Sequence, residues 1–113
     1  KSRKNLTIIT NSLVTRLLFE GKQCVGAEVK NKNKKIQYSA AKEVVLCGGA
    51  INSPQVLELS GIGERSILES KGIELIHELK GVGENLRDHL GPRLVYNITK
   101  PGIAYNDKAR GVN

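Results

Sequence analysis

The fold of this chain is decided by residues 44–54, which have the sequence Val44-Val45-Leu46-Cys47-Gly48-Gly49-Ala50-Ile51-Asn52-Ser53-Pro54. The apolar run Val44–Leu46 predicts a short strand buried on both faces. The two glycines predict a tight turn or a close approach of another molecule to the backbone. A helix is expected next, capped by Asn52 or Ser53 and with Pro54 in its first turn. This order is typical of doubly wound α/β folds, which present backbone amides and a helix dipole to phosphate, although many such turns hold no ligand.

Length and composition limit the class of protein. The chain has 113 residues, the size of one domain or less. It contains three Tyr, one Phe and no Trp, so its core is expected to be aliphatic. No apolar run is long enough to span a membrane, and no signal peptide is visible. Because the chain begins at Lys1 and contains no Met, we expect a fragment or a processed product, whose compartment and oligomeric state the sequence leaves open.

The formal net charge of +7 raises the question of a nucleic-acid partner. The basic residues cluster at 1–4 and 30–35, and no aromatic side chain on which a base could stack lies among them. A local surplus of charge within a larger and more balanced protein explains this pattern. We therefore predict no nucleic-acid partner.

Cysteine and histidine give no sign of a metal site. Cys24 and Cys47 are too few for a disulfide framework, and they lack metal-ligand spacing. Each lies in or beside an apolar run, so both are expected to be buried free thiols. His77 lies between Ile76 and Glu78 and is expected at the surface.

Alternating segments upstream of residues 44–54 predict antiparallel β-structure. Leu13–Glu20, Cys24–Lys30 and Ile36–Ala40 alternate in polarity and are separated by short polar turns. They predict an antiparallel meander. The β-branched segment Leu6–Thr10 predicts one more strand before it.

Two short helices are predicted downstream of the central stretch. The first buries Val56, exposes Glu58 to solvent and ends at Gly61, a common left-handed residue after a helix. The second spans Glu64–Lys71 and is stopped by Gly72.

The rest of the chain predicts two more strands, at Ile73–Ile76 and Leu94–Ile98, on either side of a glycine-hinged polar loop over residues 81–89. A break between domains is expected near Leu90–Gly91. Residues 100–113 are rich in Gly, Asn and charge, and they support no prediction.

Three segments together form a recognisable pattern: Gly49-Ala50-Ile51-Asn52-Ser53-Pro54-Gln55 with Leu59-Ser60-Gly61-Ile62-Gly63, then Gly81-Val82-Gly83-Glu84-Asn85-Leu86-Arg87-Asp88-His89, and, upstream, Asn5-Leu6-Thr7 through Val14 with Gly26-Ala27-Glu28-Val29. In these segments the chain resembles the glucose–methanol–choline (GMC) family of FAD-dependent oxidoreductases. The first is similar to the second signature of that family, the second to its loop ending in Asp-His, and the third to the strand pair that precedes the signature.

The resemblance implies a fold and a cofactor. The chain would be an α/β fragment of a Rossmann-like FAD-binding domain, with an antiparallel β-meander, a return strand and short helices. Residues 1–90 would be part of the FAD-binding domain, and residues 91–113 the start of the substrate-binding domain. The residues implied to contact FAD are Val14, through its backbone at the adenine, Cys47, Gly48 and Gly49, through close approach of the backbone, and Asn85 in the loop near the cofactor pocket.

The resemblance also implies an activity. It is the transfer of a hydride to FAD from the CH–OH group of a small-molecule alcohol. The glycine loop that holds the pyrophosphate in the family and the active-site histidine of the family have no match here, so we assign no catalytic residue and expect the chain alone to be inactive. Two alternatives stay open, a piece of a nicotinamide-dependent Rossmann-like reductase and a basic non-catalytic binding module.

Overall fold

The computed structural model describes residues 3–100, 102 and 105. The other residues, which include much of the predicted start of a substrate-binding domain, lie outside the described part of the chain. The elements in chain order are β1 (Ser12–Glu20), β2 (Gln23–Asn31), β3 (Lys34–Ser39), α1 (Gly49–Leu59), β4 (Ile62–Gly63), α2 (Arg65–Ser70) and β5 (His77–Glu78).

The predicted meander is confirmed. Strands β1, β2 and β3 form one antiparallel sheet in that order. Two-residue turns join them, and each turn contains a residue with positive φ, Gly21 at 60° and Lys32 at 52°. Such turns match the right-handed twist of the strands, so the hairpins follow from local sequence.

Helix α1 packs against β1, where the core begins. Leu17 of β1 and Val56 of α1 are both buried. The helix ends as predicted, because Gly61 adopts a φ of 82° directly after the C-cap residue Ser60. The buried apolar side chains of the described residues are Leu17, Val29, Val56, Leu68 and Val82.

A small parallel sheet follows α1. Strands β4 and β5 pair through Ile62 and His77, with α2 between them in the chain. The predicted second helix is confirmed, with Leu68 only 1% exposed and Gly72 at a φ of 67° after its end. His77 is exposed, as predicted. Neither described helix has the length and apolar character that a bilayer crossing requires.

The other predicted strands are wrong for this structure. The segments Leu6–Thr10, Val44–Leu46 and Leu94–Ile98 form no strand, and Val45 is 72% exposed. None of the three has a partner strand within residues 3–100, and a strand needs one to satisfy its peptide groups. The strand predicted at Ile73–Ile76 begins instead at residue 77, where the chain reaches Gly61 and Ile62.

Candidate cofactor groove

Helix α1 begins at Gly49, several residues earlier than predicted. Asn52 and Ser53 therefore lie inside the helix, and the prediction that one of them caps it is wrong. Pro54 also lies inside. The fixed φ of proline is compatible with helical backbone, so a proline can lie beyond the first turn and does not by itself mark the start of a helix. Because Pro54 has no N–H, α1 lacks the hydrogen bond that this residue would otherwise donate to the Ala50 carbonyl.

The first turn of α1 is open. Its N-cap residue Gly48 makes no side-chain capping hydrogen bond, and no acidic residue lies in the first turn. Gly49 has a φ of 81°, and a Cβ placed on it would meet no atom within 4 Å. The unpaired N–H groups and the positive end of the helix dipole can therefore accept an anion.

A groove of about 560 Å³ lies beside this helix start. It brings together three of the predicted cofactor contacts, Val14 from β1 and Cys47 with Gly48 before α1, and Gly49 follows directly. The prediction of a buried thiol is wrong for Cys47, which is exposed because its segment has no strand partner, whereas Cys24 is half-buried. The remaining lining residues are Leu13, Thr15, Val45, Leu46, Asn52, Gln55, Val56 and Leu59.

Asn85, the fifth predicted contact, lies in a second groove of about 400 Å³. Gln55 lines both grooves, so the two occupy neighbouring faces of α1. Asn85 adopts a left-handed φ of 59°, a conformation that asparagine tolerates better than most residues. In the same loop, the backbone N–H of His89 donates to Asp88 Oδ1 at 2.7 Å.

Glu58 borders the second groove instead of pointing to solvent as predicted. Its side chain is half-buried, and its Oε1 lies 2.8 Å from the position that a Cβ on Gly83 would take. Gly83 also has a φ of 80°. A glycine at this position therefore lets the loop approach α1 closely.

Ser60 joins the end of α1 to β1. The backbone N–H of Leu17 donates to Ser60 Oγ at 2.8 Å, and the Ser60 hydroxyl donates to the Val56 carbonyl. Ser60 is 5% exposed, so both hydrogen bonds are shielded from water. They fix the distance between the helix and the strand that together form the first groove.

Glu28 is the buried charged residue of the sheet, with 5% of its surface exposed. The Thr15 hydroxyl donates to Glu28 Oε1 at 2.8 Å, and Arg16 and Lys35 place their cationic nitrogens 3.2 and 3.4 Å from the carboxylate. The hydrogen bond from Thr15, followed by Lys35 and the charge of Arg16, lowers the pKa of Glu28 against the opposing effect of burial. Among the described residues, no group of three side chains is placed to hold a metal ion.

Comparison with known proteins decides the family. Residues 1–91 match the family described as GMC oxidoreductase. The chain belongs to the GMC oxidoreductase family. The match covers all five elements of the two sheets and both helices, and it confirms the resemblance found in the sequence.

Curated relatives of this GMC segment are much longer proteins. The oxygen-dependent choline dehydrogenase of Pseudomonas savastanoi pv. phaseolicola is 49% identical over 107 residues, which cover 93% of this chain and 19% of the relative. The protein of the same name from Stenotrophomonas maltophilia is 48% identical over 101 residues, which cover 89% of this chain and 18% of the relative. The chain thus spans less than one fifth of the length of these relatives.

Solved structures agree with the fold. An FAD-dependent oxidoreductase from Chaetomium thermophilum aligns with a TM-score of 0.73 and 40% identity, covering 75% of this chain and 15% of that protein. Pyridoxine 4-oxidase from Mesorbium loti aligns with a TM-score of 0.67 and 39% identity, covering 71% and 16%. The α/β fragment predicted from the sequence is confirmed, and the cofactor of this GMC segment is FAD.

The residues present fit that cofactor. The open first turn of α1 and the empty space above Gly49 suit a diphosphate, since no side chain or Cβ fills the position. Sequence reasoning missed most of the groove lining. Helical spacing could have found the α1 positions Asn52, Gln55, Val56 and Leu59, which share one face. Thr15 could not be found, because its position depends on an irregularity of β1.

Proposed function

We propose that this chain forms part of the FAD-binding site of an enzyme that oxidises the CH–OH group of a small-molecule alcohol. Residues 1–90 belong to the FAD-binding domain in this proposal, and residues 91–113 begin the substrate-binding domain. The observation that carries the proposal is the groove beside the open start of α1, where Val14, Cys47 and Gly48 meet.

The predicted contacts differ in their tasks in the proposed site. The open N–H groups around Gly49 hold the diphosphate, and the empty space at the Cβ position of Gly49 lets it approach the backbone. Gly48 lines the groove, but a Cβ on it would lie 3.2 Å from Asn52 Cβ and from Ser53 N, so its small size serves the packing of the first turn of α1. Val14, on the β1 side of the groove, contacts the adenine through its backbone. Asn85, on the neighbouring face of α1, serves the flavin end of the cofactor.

Bound FAD supplies the acceptor for the hydride that leaves the substrate carbinol carbon. We assign this chain the work of binding and orienting the cofactor, and none of its residues acts as the base. Two relatives support an alcohol as the substrate, because choline and pyridoxine, the compounds in their names, both carry a CH–OH group.

Two glycine variants of the full-length protein test the proposal. Gly49 and Gly72 both have a positive φ and empty space where a Cβ would lie, so an alanine costs each site a similar backbone strain of about 1–2 kcal/mol. The wild type and Gly72→Ala are expected to purify with a flavin absorption spectrum that bleaches when choline is added without oxygen. Gly49→Ala is expected to bind FAD about tenfold more weakly, because its methyl group occupies the diphosphate position.

The outcomes separate cleanly. A colourless wild-type protein would refute the proposed cofactor site. Equal FAD affinity in the two glycine variants would refute the placement of the diphosphate beside Gly49. A wild-type flavin that no alcohol bleaches, across choline and other small primary alcohols, would refute the proposed substrate class.

A further inference from the structure

Strand β1 contains one residue that has no partner in β2. Val14 is opposite Val29 and Arg16 is opposite Glu28, so Thr15 is the extra residue of a β-bulge. Bulges bend a strand and change the direction in which its groups point. This bulge lies at the wall of the candidate groove, which both Val14 and Thr15 line.

The pairing register indicates where the peptide groups of Val14 point. In an antiparallel sheet, the N–H and C=O of successive residues point alternately toward one neighbouring strand and the other. Asn31 and Lys34 close a two-residue turn, so Asn31, and two residues before it Val29, bond toward β3. The N–H and C=O of Val29 therefore point toward β3 and cannot bond to Val14, which is opposite Val29 in β1. The N–H and C=O of Val14 point the other way, toward the open edge of β1.

The bulge is what produces this orientation. Leu17 also points its N–H away from β2, toward Ser60 Oγ. In a regular strand, the outward residues before Leu17 would be Thr15 and Leu13, and Val14 would bond to β2. The extra residue shifts the alternation by one position, and the backbone of Val14 becomes free for a ligand.

Glu28 fixes the bulge through Thr15. The Thr15 hydroxyl contacts both Glu28 Oε1, at 2.8 Å, and the Glu28 carbonyl oxygen, at 3.2 Å. The carboxylate also forms salt bridges with the largely exposed side chains of Arg16 and Lys35. A buried carboxylate with partners on both oxygens allows the Thr15 side chain one orientation, and with it one shape of the bulge.

We propose that Glu28 is a positioning residue for FAD, which acts through Thr15 to hold the Val14 peptide edge against the adenine ring. The adenine edge carries a hydrogen-bond acceptor beside an amino donor, which suits one backbone N–H and one C=O. This inference rests on the proposed function, since it assumes that the groove holds the adenine end of FAD.

The test compares two flavins on the full-length apoprotein. FMN has the flavin ring but lacks the adenylate, so a fault at Val14 weakens FAD alone. Thr15→Val, which keeps the shape of the side chain and removes the hydroxyl, and Glu28→Gln are expected to raise the dissociation constant for FAD about tenfold and to leave that for FMN unchanged. Thr15→Ser, which restores the hydroxyl, and Arg65→Gln, which breaks the exposed ion pair with Glu69, are expected to bind both flavins as the wild type does.

Each result decides the question. FAD affinities within about twofold of wild type in Thr15→Val and Glu28→Gln would overturn the inference while leaving the proposed function intact, because the wild type still binds FAD. Equal weakening of FAD and FMN would overturn it too, since that pattern reflects a general loss of structure. A wild type that binds neither flavin refutes the proposed function itself. If Glu28→Gln does not fold, the comparison of Thr15→Val with Thr15→Ser decides alone.

Discussion

Glu28 is a charged group in a position where most proteins place an apolar one. Its carboxylate is buried on β2, yet each oxygen has a partner, from Thr15 and Lys35 on one side and Arg16 on the other. Removing one partner of such a cluster leaves a buried group unsatisfied, which costs more than the contact itself contributes. The cluster therefore favours one local geometry over its alternatives, at the strand that borders the groove.

The lowered pKa of Glu28 predicts acid sensitivity. The ordinary value is 4.5, and the folded-state pKa lies below it. The ionised carboxylate thus stabilises the fold at any pH above 4.5, and this contribution is lost as the pH falls through the lower folded-state pKa. We expect the thermal midpoint of the full-length protein to fall more steeply below pH 4.5 in the wild type than in Glu28→Gln.

Glu69→Gln is the matched control for the acid series, because Glu69 is exposed and paired with one arginine, Arg65. Its pH profile is expected to follow that of the wild type, since exposed ion pairs contribute little. Parallel profiles for the wild type and Glu28→Gln would contradict the prediction.

At the scale of elements, local chemistry decided what the sequence could predict. The two hairpins and the ends of α1 and α2 depend on turns of a few residues, with Gly21, Gly61 and Gly72 at positive φ, and all were predictable. The run Val44–Leu46 has the composition of a buried strand, but its hydrogen bonds require partners elsewhere in the sequence. The β1 bulge was not predictable either, because it arises from the pairing of β1 with β2.

The contact between α1 and β1 is expected to depend on Ser60. Ser60→Ala leaves the Leu17 N–H without an acceptor in a buried position, which costs about 1–3 kcal/mol. Ser70→Ala is the control, because Ser70 also ends a helix and donates to a carbonyl, that of Ile67 at 2.7 Å, but is exposed. Its effect is expected to stay within about 0.5 kcal/mol.

Urea unfolding of the full-length protein, followed by the release of flavin fluorescence, measures both serine variants. A lower midpoint for Ser60→Ala and an unchanged one for Ser70→Ala are expected. Midpoints that fall equally would mean that the contact with β1 adds nothing to the helix-end hydrogen bond that both serines make.

At the scale of the whole molecule, the two sides of the groove differ in how they are held. The wall formed by α1 and β1 is fixed by Ser60 and by the bulge at Thr15. Val45 also lines the groove, but it is 72% exposed, and its segment has no strand partner within residues 3–100. The sequence thus predicted which signature residues lie at the candidate site. It did not predict the other residues that line the groove, or the direction in which the N–H and C=O of Val14 point.

The exposure of apolar residues leads to a prediction for the 113-residue chain studied alone. Ordering each residue costs about 1–2 kcal/mol of conformational entropy. Among the described residues only five apolar side chains are buried, whereas Leu90, Leu94 and Val95 are 94%, 78% and 86% exposed. Apolar burial on this scale is too small to offset the entropy cost, so the chain alone is expected to unfold without a cooperative transition, to bind no FAD and to oxidise no alcohol.

Differential scanning calorimetry and equilibrium dialysis against FAD check this expectation directly, with the full-length protein as the control. A sharp heat-capacity peak from the isolated chain would mean that the meander and α1 form a self-sufficient core. FAD retention would mean more, because one groove wall would then hold the dinucleotide unaided. In that event the open first turn of α1, with its free N–H groups around Gly49, would have to supply most of the binding energy by itself.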